Sequence, residues 1–129
     1  MIFLDANFLV YLNLGVDAVK SFYLRLLSNE SMSVDPLVLD EVIHVSRKKY
    51  SVNFSDTLEF LDELVLPYVV VFPISLREYQ VSKELITKYS LHPSDAFHVA
   101  VMFNNSIKKI LTEDSDFEKI KEIERIWIK

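Results

Sequence analysis

Apolar and polar positions along the chain form two alternating kinds of segment. Short runs rich in apolar or β-branched residues predict buried strands at residues 2–4, 32–34, 69–72, 110–111 and 126–128. Longer stretches, in which apolar residues recur every three or four positions, predict helices at residues 7–14, 16–27, 36–49, 55–66, 75–89 and 93–103. The first of these helical stretches is also compatible with a turn-like segment.

Several helix boundaries carry local signals. Asp35 stands directly before Pro36, which is the pattern of an N-cap followed by proline at the first helical position. Ser55 and Ser75 occupy the same capping position before the next two helical stretches, and Pro67 ends the earlier of the two. In that earlier helix the periodicity predicts an inward face made of Leu58, Leu61, Leu64 and Val65.

The alternation of strands and helices predicts an α/β fold. Helices are expected on both faces of a mostly parallel sheet of about five strands, which gives three layers. The chain has 129 residues, enough for one domain, which we expect to span residues 1–129. Half of the residues are hydrophobic and no low-complexity tract or charge block interrupts them, so disorder is excluded.

Composition excludes several classes of function. The chain has no cysteine, so any metal must be bound by oxygen or imidazole, and a cysteine nucleophile is excluded. It also lacks a glycine-rich phosphate-binding loop, which excludes a P-loop nucleotide hydrolase. The first residues have no basic segment, and no apolar run approaches the roughly twenty residues of a spanning helix. We therefore expect a cytoplasmic protein with no membrane partner.

The formal net charge of −5 argues against a nucleic-acid partner, because phosphate binding favours lysine and arginine. The argument reverses if several acids share one site, since bound divalent cations would make the local potential positive. Five acids fit such a site because each follows a predicted strand or lies near the start of a predicted helix: Asp5, Glu41, Asp95, Asp114 and Asp116. Functional groups in open α/β sheets collect at the carboxyl ends of the strands, so we expect these carboxylates to converge.

Converging carboxylates raise one another's pKa and resist joint ionisation unless a cation lies between them. Mg²⁺ or Mn²⁺ suits such a site, because these ions prefer oxygen ligands and stabilise in-line displacement at phosphorus. Taken singly, Asp95 could be a favourable helix N-terminal charge, Glu41 a helix-surface residue, and Asp114 and Asp116 turn formers. Asp5 is harder to explain in this way, because it lies within an apolar stretch where a solvated surface is not expected.

Four stretches together resemble the motifs of the PIN domain family. They are Ile-Phe-Leu-Asp5-Ala-Asn7, Pro36-Leu-Val-Leu-Asp-Glu41-Val, Ser94-Asp95-Ala-Phe-His-Val-Ala100 and Leu111-Thr112-Glu-Asp114-Ser-Asp116-Phe117. Each motif is weak alone. Their order, spacing and secondary-structure context match the family over nearly the whole chain.

The resemblance implies a PIN-like fold and an Mg²⁺- or Mn²⁺-dependent endoribonuclease, often the toxin of a VapBC-type pair with a VapB-like antitoxin, and usually a homodimer. The implied catalytic and metal-binding acids are Asp5, Glu41 and Asp95, together with Asp114 or Asp116. The implied polar supports of the site are Asn7 and Thr112. Of the two alternative acids we favour Asp114, which stands two residues after the threonine.

Basic residues at the end of the third predicted helix are candidate substrate contacts. Lys48 lies two helical turns beyond Glu41 on the same face, so Lys48 and the neighbouring Arg47 could meet RNA phosphates. Basic residues at a helix C-terminus also complement the helix dipole, which is the more ordinary explanation.

Three further side chains have both a functional and a structural interpretation. Tyr50 could stack on an unpaired base, although a core or interface position is more usual. His44 and His98 each stand three residues after a candidate acid and could face the site. A histidine on an apolar helix is, however, more often a hydrogen-bonded structural residue.

Three functional classes remain. The leading hypothesis is metal-dependent hydrolysis of RNA at an unpaired region, since proteins read RNA sequence best where the bases are splayed out, with DNA as an alternative substrate. The second is a catalytically silent PIN-like module that binds RNA or protein. The third is an α/β phosphatase or phosphotransfer receiver, but the phospho-accepting aspartate on a middle strand and the late lysine that receivers need are not visible here.

Overall fold

The computed structural model describes residues 1–128 and is built around one parallel sheet. Its strands are β1 (Ile2–Leu4), β2 (Met32–Val34), β3 (Val69–Val71), β4 (Lys109–Leu111) and β5 (Glu124–Ile126). They lie in the order β3-β2-β1-β4-β5, and every neighbouring pair is parallel. The central strand β1 aligns Ile2 with Met32 on one side and with Lys109 on the other. The predicted α/β fold with a mostly parallel sheet of five strands is confirmed.

Helices connect the strands along residues 1–128. The α-helices are α1 (Ala6–Asn13), α2 (Asp17–Asn29), α3 (Pro36–Tyr50), α4 (Phe54–Phe60), α5 (Leu76–Tyr89) and α6 (Pro93–Asn104). A π-helical turn at Leu61–Val65 and a 3-10 turn at Leu66–Tyr68 continue α4, and another 3-10 turn at Ser115–Lys119 follows β4. None of the described helices has the length and apolar composition needed to cross a bilayer.

Local sequence signals explain where several of these elements begin. Asp35 caps α3, where its Oδ1 accepts a hydrogen bond of 3.0 Å from the Val38 N–H, and Pro36 takes the first helical turn as predicted. Ser75 caps α5 in a capping box with Glu78. The β1 side chains are fully buried, which is why this strand is uniformly apolar rather than alternating.

The start of α4 differs from the prediction. Ser55 was expected to cap this helix, but the helix begins at Phe54 with Asn53 in the capping position, and neither position shows a side-chain cap hydrogen bond. Ser55 therefore lies inside the first turn. With no cap bond, the packing of the helix rather than a local polar signal sets this boundary.

The inward face predicted for this helix is half wrong. Leu61 and Val65 are buried, whereas Leu58 and Leu64 are 47% and 54% exposed. The α-helical period that aligned these four residues is lost at the π-helical turn Leu61–Val65, where each hydrogen bond spans one more residue. The extra residue rotates Leu64 outward, whereas Leu58 precedes this turn and lies on the exposed side of α4 itself.

The last strand also lies earlier than predicted. The apolar run at residues 126–128 suggested a strand there, but β5 covers Glu124–Ile126, because pairing with β4 aligns Lys109 with Glu124. Trp127 instead packs beside β5, with its ring centroid 6.2 Å from that of Phe8. The other element boundaries differ from the prediction by only one or two residues.

A candidate metal centre at the carboxyl edge of the sheet

A cleft of about 240 Å³ opens where β1 and β4 end. Five acidic side chains line it: Asp5, Glu41, Asp95, Glu113 and Asp114. Asp5 follows β1, Glu41 lies near the start of α3, Asp95 opens α6, and Asp114 follows β4. Segments far apart in the sequence thus bring carboxylates to one edge of the sheet, because parallel strands end there together.

Asp5 is the most enclosed of these acids, with 5% of its surface exposed. Its Oδ1 accepts a hydrogen bond of 2.8 Å from the Ala6 N–H and so caps α1, and its Oδ2 accepts one of 2.7 Å from the Thr112 hydroxyl. Burial raises the pKa of Asp5 above its usual value, although the nearby His98 and the bond from Thr112 act in the opposite direction. A divalent cation would relieve this cost of ionisation.

Thr112 and Asn7 connect the loop after β4 to the start of α1. The buried hydroxyl of Thr112 accepts hydrogen bonds of 3.1 Å from the Asn7 amide and 3.1 Å from the Asp114 N–H, besides donating to Asp5. The Asn7 Oδ1 accepts a hydrogen bond of 3.3 Å from the Glu113 N–H. These contacts fix the two loops that carry Asp5 and Asp114 relative to each other.

Asp95 carries the clearest sign of repulsion between acids. Burial, together with the charge of Asp5, raises the pKa of Asp95 to about 7. One ligand atom from each of Asp5, Asp95 and His98 lies within 4.8 Å of the others. At neutral pH the cleft therefore holds a carboxylate that binds either a proton or a cation.

His98 lies beneath the acids with its ring fully buried. Its Nδ1 is 2.7 Å from Asp35 Oδ2, and its Nε2 is 3.0 Å from Glu41 Oε1. Burial disfavours the imidazolium, but the hydrogen bonds to Asp35 and Glu41 raise the pKa of His98 to about 10. Both ring nitrogens then donate hydrogen bonds, so the ring offers no lone pair to a cation. The carboxylates remain as the metal ligands.

Asp35 was recognised from the sequence only as a helix cap. Its complete burial and its contact with His98, 63 residues away, have no local signal in the sequence. Glu113 was also missed, because its position is set by the turn after β4 and its carboxylate accepts a hydrogen bond of 2.8 Å from the Tyr11 hydroxyl. Both residues were placed by contacts between segments distant in the chain.

The structure separates the two acids that the sequence left as alternatives. Asp114 lines the cleft and caps the following 3-10 turn, where its Oδ1 accepts a hydrogen bond of 2.9 Å from the Asp116 N–H. Asp116 is exposed outside the cleft, and its Oδ1 is 3.8 Å from Lys119 Nζ. The geometry therefore favours Asp114 as the fourth carboxylate.

The basic residues at the end of α3 are arranged differently from the expectation. Lys49 and Tyr50 line the cleft, whereas Arg47 and Lys48 do not. The Arg47 guanidinium lies 5.9 Å from the centre of the Phe54 ring, on the outside of the helix. His44 is exposed and likewise does not line the cleft. The final turn of α3 thus presents Lys49 to the cleft, rather than the Lys48 that helical spacing alone suggested.

The donor set suits a hard divalent cation. Oxygen is the only donor atom that the four acids offer, and carboxylates are preferred ligands of Mg²⁺ and Mn²⁺. The raised pKa values of Asp5 and Asp95 show that the carboxylates are disfavoured as anions without a counter-charge. The residues present therefore fit a Mg²⁺ or Mn²⁺ site held by Asp5, Glu41, Asp95 and Asp114.

Comparisons with known proteins identify the family and the fold. A sequence model of the PIN domain matches residues 2–123. Ribonuclease VapC2 of Methanocaldococcus jannaschii is 27% identical to this chain, over 98% of the chain and 93% of that protein. VapBC2 from Rickettsia felis, solved bound to a DNA fragment from its promoter, superposes with a TM-score of 0.77 and 18% identity over 100% of both chains. VapC20 of Mycobacterium tuberculosis, described as a Sarcin-Ricin loop cleaving toxin, superposes with a TM-score of 0.75 and 18% identity. This match covers 92% of this chain and 94% of that one.

Proposed function

The chain belongs to the PIN domain family, and from that premise we propose that it is a metal-dependent endoribonuclease, the toxin of a VapBC-type toxin-antitoxin pair. The observation that carries the proposal is the convergence of four carboxylates from separate segments on one cleft. The ribonuclease named among its relatives supports RNA as the substrate, and the solved VapBC structure supports a protein partner.

In the proposed mechanism, Asp5, Glu41, Asp95 and Asp114 would hold Mg²⁺ or Mn²⁺. The positive charge supplied there would offset the charge of the phosphodiester and of the leaving oxygen. Thr112 keeps the Asp5 carboxylate in place through its 2.7 Å hydrogen bond. A carboxylate of the cleft accepts the proton of the attacking water.

Lys49 is the proposed contact for an RNA phosphate, because it is the basic side chain of α3 that lines the cleft. The neighbouring Tyr50 lines the same wall and is 37% exposed, which allows an unpaired base to stack on it. Arg47 and Lys48 lie outside the cleft, so they would meet only RNA that extends beyond it.

Labelled single-stranded RNA tests the proposed activity directly. We expect cleavage in the presence of Mn²⁺ or Mg²⁺ that stops when EDTA removes the cation and resumes when the cation is restored in excess. A small phosphomonoester in a parallel reaction is expected to stay intact, since the proposal specifies phosphodiester bonds. Intact RNA at every concentration of either cation would leave only a binding module, and hydrolysis of the phosphomonoester alone would indicate a phosphatase.

The affinity for Mn²⁺ is expected to depend on pH. Because the pKa of Asp95 is raised to about 7, a proton competes with the cation below pH 7 and is absent well above it. Calorimetric titration should therefore give a Kd for Mn²⁺ about tenfold weaker at pH 6 than at pH 8, which is the effect of one proton with a pKa near 7. A Kd that is the same at both values would contradict the placement of Asp95 at the cation.

A second concavity, of about 640 Å³, offers a place for the antitoxin. Apolar side chains form its floor and walls: Leu12, Tyr23, Leu24, Leu27, Phe60, Leu64 and Tyr68. Its charged lining is mostly acidic, with three acids from α4 and the π-helical turn against one lysine from α2: Asp56, Glu59, Glu63 and Lys20. The partner we propose is an apolar antitoxin segment with basic residues on one side, because those charges would face the acids.

Substitution in this groove is expected to weaken the complex. Leu24, which is 64% exposed in the groove, is replaced by aspartate, and the control is the same replacement at Leu76, which is 68% exposed on α5 outside it. With the proposed antitoxin, to be sought in a reading frame adjoining the one for this chain, as partner, Leu24→Asp should raise the Kd at least about thirtyfold, as for an interface hot spot. Equal effects of the two substitutions, or no complex with the parent protein, would rule out this groove.

Three broader features belong to the same proposal. We place the protein in the cytoplasm, where a ribonuclease meets cellular RNA. Residues 1–129 are proposed to act as a single PIN domain. The family resemblance implies a homodimer, which light scattering tests by measuring the molar mass in solution at defined protein concentrations. A mass of 15.1 kDa, that of one chain, at micromolar concentration would exclude the homodimer.

A further inference from the structure

The His98 ring connects two acids that belong to different parts of the site. Asp35, at its Nδ1, lies outside the cleft lining, whereas Glu41, at its Nε2, lies in it. The ring is fully buried on α6 and lies 5.4 Å, centre to centre, from the ring of Phe3 in β1. A ring packed in this way has little freedom to turn, so the direction of its Nε2–H is set by the core.

Asp35 is itself held from two directions. Its Oδ1 accepts the Val38 N–H at 3.0 Å, which caps α3, and its Oδ2 accepts the Nδ1–H of His98 at 2.7 Å. The side chain is completely buried at the end of β2. The contact with Asp35 therefore fixes the rotation of the His98 ring. It also keeps a proton on Nδ1, the ring nitrogen that faces Asp35.

Glu41 needs such a constraint more than the other acids of the cleft do. Its side chain is 32% exposed and has three rotatable bonds, so ordering it costs conformational entropy. The bond from His98 uses Oε1, which leaves Oε2 available to a ligand in the cleft that Glu41 lines.

We propose that His98, anchored by Asp35, is a positioning residue that holds the Glu41 carboxylate ready for the cation. The inference rests on the proposed function, because it assigns Glu41 to the metal site. His98 acts through Glu41 and does not touch the cation or the RNA. A preordered ligand binds without the loss of side-chain freedom that a mobile one would incur.

Two other roles for His98 have to be distinguished from positioning, and the contacts argue directly against the first. A metal ligand needs a free ring lone pair, but both nitrogens face carboxylate oxygens at hydrogen-bond distance. A purely structural histidine would also need an acceptor for each of its two buried N–H groups, so the contact with Glu41 is expected in that case too. The two roles differ in their consequence: only a positioning residue changes the affinity of the cleft for the cation.

Two amide substitutions separate these roles. The side-chain nitrogen of glutamine can take the place of Nε2, and that of asparagine the place of Nδ1, so His98→Gln keeps a donor toward Glu41 and His98→Asn does not. Both variants lose the ring and its charge. By calorimetry, we expect His98→Asn to weaken Mn²⁺ binding at least about tenfold and His98→Gln to stay within about threefold of the parent protein, which is the scale of losses for groups that orient metal ligands. Thermal unfolding of the metal-free variants reports their stability separately.

Equal losses of Mn²⁺ affinity in the two folded variants would overturn the inference, because the donor toward Glu41 would then be irrelevant. A parent protein that binds no Mn²⁺ would instead defeat the proposed function itself. If either variant fails to fold, NMR of the metal-free parent supplies the test. Glu41→Gln, at a partly exposed position, should shift the Nε2–H resonance of His98, and an unchanged resonance would show that the contact is absent.

Discussion

Replacing Asp95 with asparagine is expected to lower the rate of RNA cleavage at least about a thousandfold, which corresponds to about 4 kcal/mol of lost transition-state stabilisation. The substitution keeps the size of the side chain and removes one of the charges that hold the cation. The metal-free protein should become more stable, because burial and the charge of Asp5 disfavour the ionised Asp95 and raise its pKa to about 7. Activity and stability thus change in opposite directions.

Asp116→Asn is the matched control, since Asp116 is the same residue type in an exposed position outside the cleft. It should cleave RNA within about threefold of the parent rate, as expected for a surface substitution. Initial rates at saturating Mn²⁺, together with thermal unfolding in EDTA, give both quantities for each variant. If Asp95→Asn cleaves RNA at the parent rate, Asp95 has no part in the mechanism. If Asp116→Asn loses as much of the cleavage rate as Asp95→Asn does, the structure selects the wrong acid.

Replacing Asp35 with alanine is expected to lower the free energy of unfolding by about 3 to 5 kcal/mol, the usual cost of removing one member of a buried ion pair. Two losses combine here. The cap of α3 at the Val38 N–H, worth about 1 kcal/mol, disappears, and His98 keeps a buried charge without its acceptor at Nδ1. Asp35→Asn should lose less, because asparagine is also a good cap.

The effect of Asp35→Ala should also depend on pH. The pKa of His98 is raised to about 10 from its usual value near 6.5, so the stability that the imidazolium contributes is fully present below pH 6.5 and is lost as the pH rises through 10. Urea unfolding at pH 6 and pH 10 should therefore show a smaller difference between parent and variant at pH 10. Asp40→Ala, on the exposed side of α3, should change stability by no more than about 0.5 kcal/mol. An effect of Asp35→Ala as small as that of the control would refute the ion pair.

Much of the fold could be predicted from the sequence because its signals are local. The Asp35-Pro36 pair and Ser75 mark helix starts through contacts with residues only two or three positions away. Local periodicity failed where the packing of the whole molecule changed the helix type. At the π-helical turn after α4, the α-helical repeat that predicted a buried Leu64 no longer applies. At the start of α4, Asn53 occupies the N-cap position that was predicted for Ser55.

The sequence by itself determined the alternation of strands and helices, and with it the edge of the sheet at which Asp5, Asp95 and Asp114 had to appear, because each acid stands at a strand end or a helix start. Tertiary structure alone decided that Lys49 rather than Lys48 lines the cleft, and it placed Asp114 in the cleft and Asp116 outside, in line with the preference for Asp114 drawn from the sequence. It also gave Asp35 its contact with His98 across 63 residues. The physical reason is that position along the backbone depends on short-range periodicity, whereas the direction of a side chain depends on turn geometry and on packing against segments that are remote in the chain.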